Sequence, residues 1–427
     1  MREKLTAYKR KFVTLLSFIC QYNKWMKLRH KSVPINSDKN KIVLIPCDPW
    51  TVGGSRGDEA MLMAIIQYYT TKNKNVSIAI VSDNQKGEKY VNDLKLNNVY
   101  ALPVWYGKYP AENIYDAVMK CKPNTVVILG ADCMDGFYSP ALSLTLLTLH
   151  DLFSYTVGTG SKLMGFSFNE TPYRPLCHVF RNVSSDTRFN LRDEVSLRRF
   201  MEKTGISAGL VADVAFLLQA DADFNDYALL EKWVKSRKDS GSEYIIGINF
   251  HPMLRKYNNT DDIRHDALIV AQNLKQILEL CPTVALALIP HDNRDLLTDN
   301  LVLSTIAEYL NEYGFKDRIT YSSKVFRAAQ LKAVCGLLDG IVSSRMHLAI
   351  AALGQGKSIL AASYQGKFDG LFRHFHLPCE YLLRPEQFIS EQFVPIFQKF
   401  INELHYLNKQ VAARLPEVIK LSEKNLI

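Results

Sequence analysis

The stretch Gly340-Ile-Val-Ser-Ser-Arg-Met-His-Leu-Ala-Ile-Ala-Ala-Leu-Gly-Gln-Gly-Lys-Ser-Ile-Leu-Ala-Ala-Ser-Tyr-Gln-Gly-Lys367 reads strand, helix, strand. Gly340 to Val342 is a short apolar run. Arg345 and His347 sit at the turn that opens a small-residue helix over Leu348 to Leu353, which Gly354 and Gly356 stop. Ser358 to Ala362 is a second buried strand, with Lys367 just past its carboxyl end. Two such junctions in one parallel sheet put Arg, His and Lys on the edge where open α/β sheets bind ligands. Cations beside a helix N-terminus suit an anion.

Outward from this stretch the same alternation fills the chain. Strands are expected at Ile42–Pro46, Val76–Val81, Thr125–Leu129 and Lys162–Phe168, with short ones ending at Asp193 and Asp213. Helices are expected over Glu59–Tyr69 and Ser139–Tyr155. Residues 220–242 turn polar, and the pattern restarts with strands at Tyr244–Phe250, Thr283–Pro290 and Arg318–Tyr321 and helices at Asp261–Leu280 and Ala328–Leu338. A helical stretch follows Pro385, with Pro395 and Pro416 expected to interrupt it. The expected organisation is a helix and linker over 1–40, an α/β domain over 41–225, a second over 240–385 and helices over 386–427.

The chain has 427 residues and a formal net charge of +9. Residues 1–40 hold ten Lys/Arg against two acids, which leaves the remainder close to neutral. That speaks against a nucleic-acid-binding face on the body. Leu5, Tyr8, Phe12, Leu15, Ile19, Tyr22 and Met26 form a helical stripe flanked by Lys and Arg. Such a helix suits an anionic membrane surface, a short coiled coil, or packing on the body. No run reaches the roughly 20 apolar residues of a membrane span. The eight cysteines form no CxxC and no zinc spacing, and read as buried free thiols. No motif calls for a metal.

Gly53-Gly54-Ser55-Arg56-Gly57-Asp58-Glu59 follows the first strand. It has neither dinucleotide nor P-loop spacing. Asp132, Asp135, Asp193 and Asp213 fall near expected element ends, where an acid binds hydroxyls, moves protons or caps a helix. His291-Asp292 ends another strand, as an acid–base pair or an ordinary loop.

Taken in order, these elements resemble the polysaccharide pyruvyl transferase family. Its early Gly-Asn-x-Gly-Asp turn stands here as Gly54-Ser55-Arg56-Gly57-Asp58, its Arg-Asp-x-x-Ser as Arg192-Asp193-Glu194-Val195-Ser196, and its Ala-Asp as Ala212-Asp213. Ser344-Arg345-Met346-His347, then Tyr364 and Lys367, is the most specific match. Ser55 replaces the family's Asn, and Gly130-Ala131 stands where the family has Gly-Gly.

The resemblance implies two Rossmann-like domains facing across a cleft, GT-B-like, with a helical C-terminal tail. It implies phosphoenolpyruvate as donor, no cofactor, and pyruvate placed as a ketal on a glycan or lipid-linked oligosaccharide. Arg345, His347, Lys367 and Arg192 are then expected at the donor. Gly54, Asp58, Glu59 and Asp132 are expected at the acceptor, with His347, Arg345 and Asp58 in the chemistry. A cytoplasmic enzyme at the inner membrane face, touching lipid through residues 1–30, is expected. A nucleotide-sugar transferase of GT-B type and a non-catalytic scaffold are the alternatives.

Overall fold

The computed structural model describes residues 2–30, 33–252, 254–255, 259–292, 298–363, 366 and 368–427, with side chains from Phe12 onward. The residues divide into two compact units. The first holds 1–54, 61–217 and 421–427; the second holds 55–60 and 218–420.

The first unit is built on a five-stranded parallel sheet. Its strands are β1 (Asp38–Ile45), β2 (Ser77–Val81), β3 (Val99–Leu102), β4 (Pro123–Ile128) and β5 (Gly160–Leu163), in the order β3-β2-β1-β4-β5. Runs such as Ile42-Val-Leu-Ile45 are buried throughout, as expected when helices cover both sheet faces. Register is set by pairs such as Val43 with Val126. The order reverses between β1 and β4, so their carboxyl ends open a crevice. β6 (Asn190–Leu191) and β7 (Gly209–Leu210) pair as a small ribbon.

The expected strand Lys162–Phe168 is shorter than its apolar run. β5 stops at Leu163. Beyond it Gly165 N–H donates to Asn425 Oδ1 at 2.7 Å, and Phe166 bridges to Leu191. The backbone donors are thus taken by other partners than the sheet.

The second unit carries a six-stranded parallel sheet. Its strands are β8 (Tyr244–Ile248), β9 (Val284–Leu288), β10 (Ile319–Tyr321), β11 (Gly340–Ser343), β12 (Ile359–Ala362) and β13 (Leu382–Leu383). The order is β10-β9-β8-β11-β12-β13, and the reversal falls between β8 and β11. Ile341 pairs with Gly247 and Ile359.

The polar stretch near 220–242 contains the helix Asn225–Asp239, which buries none of its residues. The chain changes unit ahead of it, between Leu217 and Leu218. The prolines after 385 do not break the last helix, which runs Phe393–Glu423. Pro395 lies in its first turn, where a missing N–H costs nothing, and Pro416 removes a single ladder bond between the buried Val411 and Val418. Leu421–Ile427 then belongs to the first unit: Ser422 Oγ donates to Asp213 O at 2.8 Å and Asn425 Nδ2 to Ala212 O at 2.8 Å.

The helix Arg2–Arg29 packs on the first unit, where Tyr22 and Met26 of the expected stripe are partly buried against the core but Phe12, Leu15 and Ile19 are not. Its buried face is Phe18, Gln21, Trp25 and Leu28. Gln21 Nε2 donates to Thr145 Oγ1 at 2.6 Å, and Trp25 Nε1 to Asp151 Oδ2 at 3.1 Å. Phe12, Leu15 and Ile19 are exposed. All eight cysteines are free thiols; Cys47, Cys177 and Cys335 are buried, whereas Cys20 and Cys379 are exposed, against the expectation of burial.

Candidate functional site

In the second unit the carboxyl ends of β8, β9 and β11 bring three histidines and an arginine to one edge. β8 leads to Asn249 and His251, β9 to His291 and Asp292, and β11 to Ser344, Arg345 and His347. This edge flanks the reversal of strand order. Ser343 Oγ accepts from Arg345 N–H at 3.0 Å and so shapes the turn into the helix Met346–Leu353.

Arg345 is held rather than loose. Its Nη2 donates to Asp299 Oδ1 at 2.6 Å and its Nε to the same oxygen at 3.2 Å. Among the described residues its Nη1 makes only a long contact, 3.5 Å, to Asp292 Oδ2. Asp299 is wholly buried and also accepts from Asn249 Nδ2 at 2.9 Å and His291 N–H at 3.0 Å. One face of the guanidinium is therefore fixed, and its Nη1 side is presented.

His291 is buried, and its Nδ1 has no hydrogen-bond partner among the described residues. Burial drives its pKa well below the usual histidine value, and Arg345, His347, Arg56 and His251 add like-charge repulsion. The ring is thus neutral at pH 7, with the Arg345 and Arg56 charges near it. An arriving anion opposes that like-charge repulsion.

The Gly-rich turn meets this edge through its last residues, which count with the second unit. Ser55 Oγ accepts from Asp58 N–H at 2.9 Å, the N-cap bond of the helix Arg56–Lys72. Asparagine caps equally well, so Ser55 keeps the local role of the family's Asn. Arg56 Nη1 pairs with the buried Glu59 at 2.7 Å, and Arg327 stands 3.9 Å from Glu59. Burial raises the Glu59 pKa, and the two arginines oppose the rise. Glu59 is thus a partner of arginines, and Asp58 is half-buried beside it.

Gly57 has a reason of its own. A Cβ there would lie 2.3 Å from His347 Nδ1. Glycine lets the helix N-terminus reach the imidazole. Gly57→Ala is expected to displace His347 and lower kcat by about 100-fold, the scale of a 1 Å misplacement, with thermal stability nearly kept. Steady-state kinetics beside a melting curve check this.

Arg192 lies in the first unit. It is buried, with Nη1 on Asp213 at 2.9 Å and Nε on Ser167 Oγ at 2.7 Å. Asp193 caps the helix Glu194–Thr204 through Ser196 N–H at 2.7 Å. Asp132 is half-buried on the loop after β4, close enough to raise the Arg192 pKa. Ala131, beside it, has φ +46°, a left-handed position that favours glycine and costs an L-residue roughly 1–2 kcal/mol. Gly54 is half-buried in the first unit. Lys367 and Tyr364 lie outside the described residues.

His251 and Asp299 were not singled out by sequence. The placement rule that found Arg345 would have found His251, since it too follows a strand of this sheet. Asp299 carries no signal, because its partner Arg345 is 46 positions away.

A two-unit α/β fold with a strand-order reversal in each parallel sheet is the GT-B-like class. Solved structures agree. One UDP-N-acetylglucosamine 2-epimerase is similar with a TM-score of 0.54 at 11% identity, over 91% of this chain and 95% of that one. S. aureus MnaA, solved with UDP, is similar with a TM-score of 0.51 at 11% identity, over 87% and 90%. These likenesses are of fold alone. No curated protein matches the chain. The family model described as Polysaccharide pyruvyl transferase matches residues 56–366. The chain belongs to that family.

Proposed function

We propose that the protein transfers pyruvate from phosphoenolpyruvate onto two hydroxyls of a glycan sugar, the glycan being carried on a lipid, and releases phosphate. The observation that carries this is the cationic edge of the second unit, with Arg345 oriented by Asp299 and three histidines around it. Phosphoenolpyruvate carries both a phosphate and a carboxylate, so its site needs several cations and planar donors.

The two hydroxyls add to the central carbon of the donor. One of their protons ends on the methylene carbon, which becomes a methyl group, and the other leaves with the phosphate. Arg345 holds an anionic group of the donor through its Nη1 side. His347, at the helix start, supplies a proton at the leaving oxygen. Asp58 and Asp132 serve the acceptor, and Lys367 adds a point charge. The enzyme works where phosphoenolpyruvate is made, in the cytoplasm. Among the described residues no helix is long and apolar enough to cross a membrane.

A second reading, a nucleotide-sugar transferase, has one observation in its favour. A cavity of about 240 Å³ beside β9 and β10 is lined by Ile289, Pro290, Tyr321 and Phe326, next to His291. Thermal denaturation with added ligand separates the two. A ligand at about 100 times its Kd adds about 2.7 kcal/mol. Stabilisation by phosphoenolpyruvate and not by UDP is expected; the reverse would favour the second reading.

A further inference from the structure

From Phe12 onward the helix Arg2–Arg29 has a covered apolar face and an exposed one. Phe18, Gln21, Trp25 and Leu28 are buried on the first unit, with Gln21 Nε2 donating to Ala141 O at 3.0 Å and Phe18 edge-on to Tyr173 at 5.3 Å. Phe12, Val13, Leu16 and Ile19 are 62, 63, 47 and 45% exposed, and Leu15 is exposed beside them. At 3.6 residues per turn, positions 12, 16 and 19 share one line, opposite the docked face. Single exposed hydrophobic residues are ordinary, but a contiguous stripe marks an interaction surface.

Two further facts bear on what covers it. Phe137 and Tyr138 are also about half exposed, at 50 and 52%. They immediately precede Ser139, the N-cap of the helix Pro140–Tyr155, whose Ala141 holds Gln21. The loop that carries Asp132 thus adds exposed aromatic area on the same unit. The charge is the second fact: residues 1–40 hold ten Lys/Arg against two acids, in a chain whose net charge is +9. An exposed apolar stripe on a strongly basic segment complements an anionic lipid surface, where the helix lies in the interface plane.

We propose that this face docks the protein on an anionic lipid surface, through Phe12, Leu16, Ile19 and the Phe137-Tyr138 loop tip. Docking in this way brings the β4 loop to the membrane, where a lipid-carried acceptor arrives. That consequence rests on the proposed reaction; the docking does not.

The test is flotation of the full chain with vesicles of phosphatidylglycerol and phosphatidylcholine, and with vesicles of phosphatidylcholine alone. A variant combining Phe12→Glu, Leu16→Glu and Ile19→Glu is run in parallel. These positions are exposed, so its melting curve should match wild type. Wild type is expected to float with the anionic vesicles roughly tenfold more than the variant, and to be released by high salt. Equal flotation of wild type and variant overturns the proposal. So does a wild type that never floats and that light scattering shows to be a dimer, with the variant a monomer, because a second copy then covers the face.

Discussion

Arg345→Ala is expected to lower phosphate release from phosphoenolpyruvate by about 1,000-fold, the upper range for removing one donor from a preorganised anion site. It is also expected to lower stability by about 3–5 kcal/mol, because Asp299 would remain buried without its cation. Asn249 Nδ2 and the His291 N–H would still donate to Asp299, which places the loss toward the lower figure. Arg345→Lys separates the two effects. A lysine restores charge beside Asp299 but not the planar fork, so stability should return further than activity. His347→Ala is the companion variant, at the start of the helix Met346–Leu353. Its activity should fall with a smaller change in melting. Wild-type turnover in either alanine variant would contradict the assignment.

Arg192→Ala is expected to be a stability variant first. Burial works against the Arg192 charge, and Asp213, Asp132 and Asp193 more than offset it, so its pKa is raised. Removing the guanidinium strands Asp213, which is 3% exposed, and leaves Ser167 Oγ without its donor. The expected cost is about 3–5 kcal/mol. At about 2–4 °C per kcal/mol for a unit of this size, melting should fall by roughly 6–20 °C. Scanning calorimetry reads this directly. An unchanged melting temperature together with a raised KM for phosphoenolpyruvate would instead move Arg192 into the donor pocket.

The sheets were legible because parallel strands covered on both faces must be apolar along their whole length. Ile42–Ile45, Tyr244–Ile248 and Val284–Leu288 announce themselves in that way. β3 was not seen: it is an edge strand, Val99–Leu102, with none of its residues fully buried. β13 is two residues long and has no periodicity to read. Arg345 and His347 were placed by their position after a strand. What sequence cannot show is their pairing with Asp299 and their approach to Gly57, since those partners are distant along the chain. The N-terminal helix shows a different limit. Its docked face includes Gln21 and Trp25, whose polar atoms are met by Thr145 and Asp151. A reading of apolar spacing passes over a glutamine, and so it found Tyr22 and Met26, which pack on the core, together with the exposed Phe12, Leu15 and Ile19.

The central claim is that the edge formed by β8, β9 and β11 holds the donor. A crystal structure of the full chain soaked with phosphoenolpyruvate tests it most directly. The phosphate or carboxylate should lie within about 2.7–3.2 Å of Arg345 Nη1, with His291 and His347 at the same anion. Phosphoenolpyruvate bound elsewhere, with Arg345 still engaged only by Asp299 and Asp292, would contradict it.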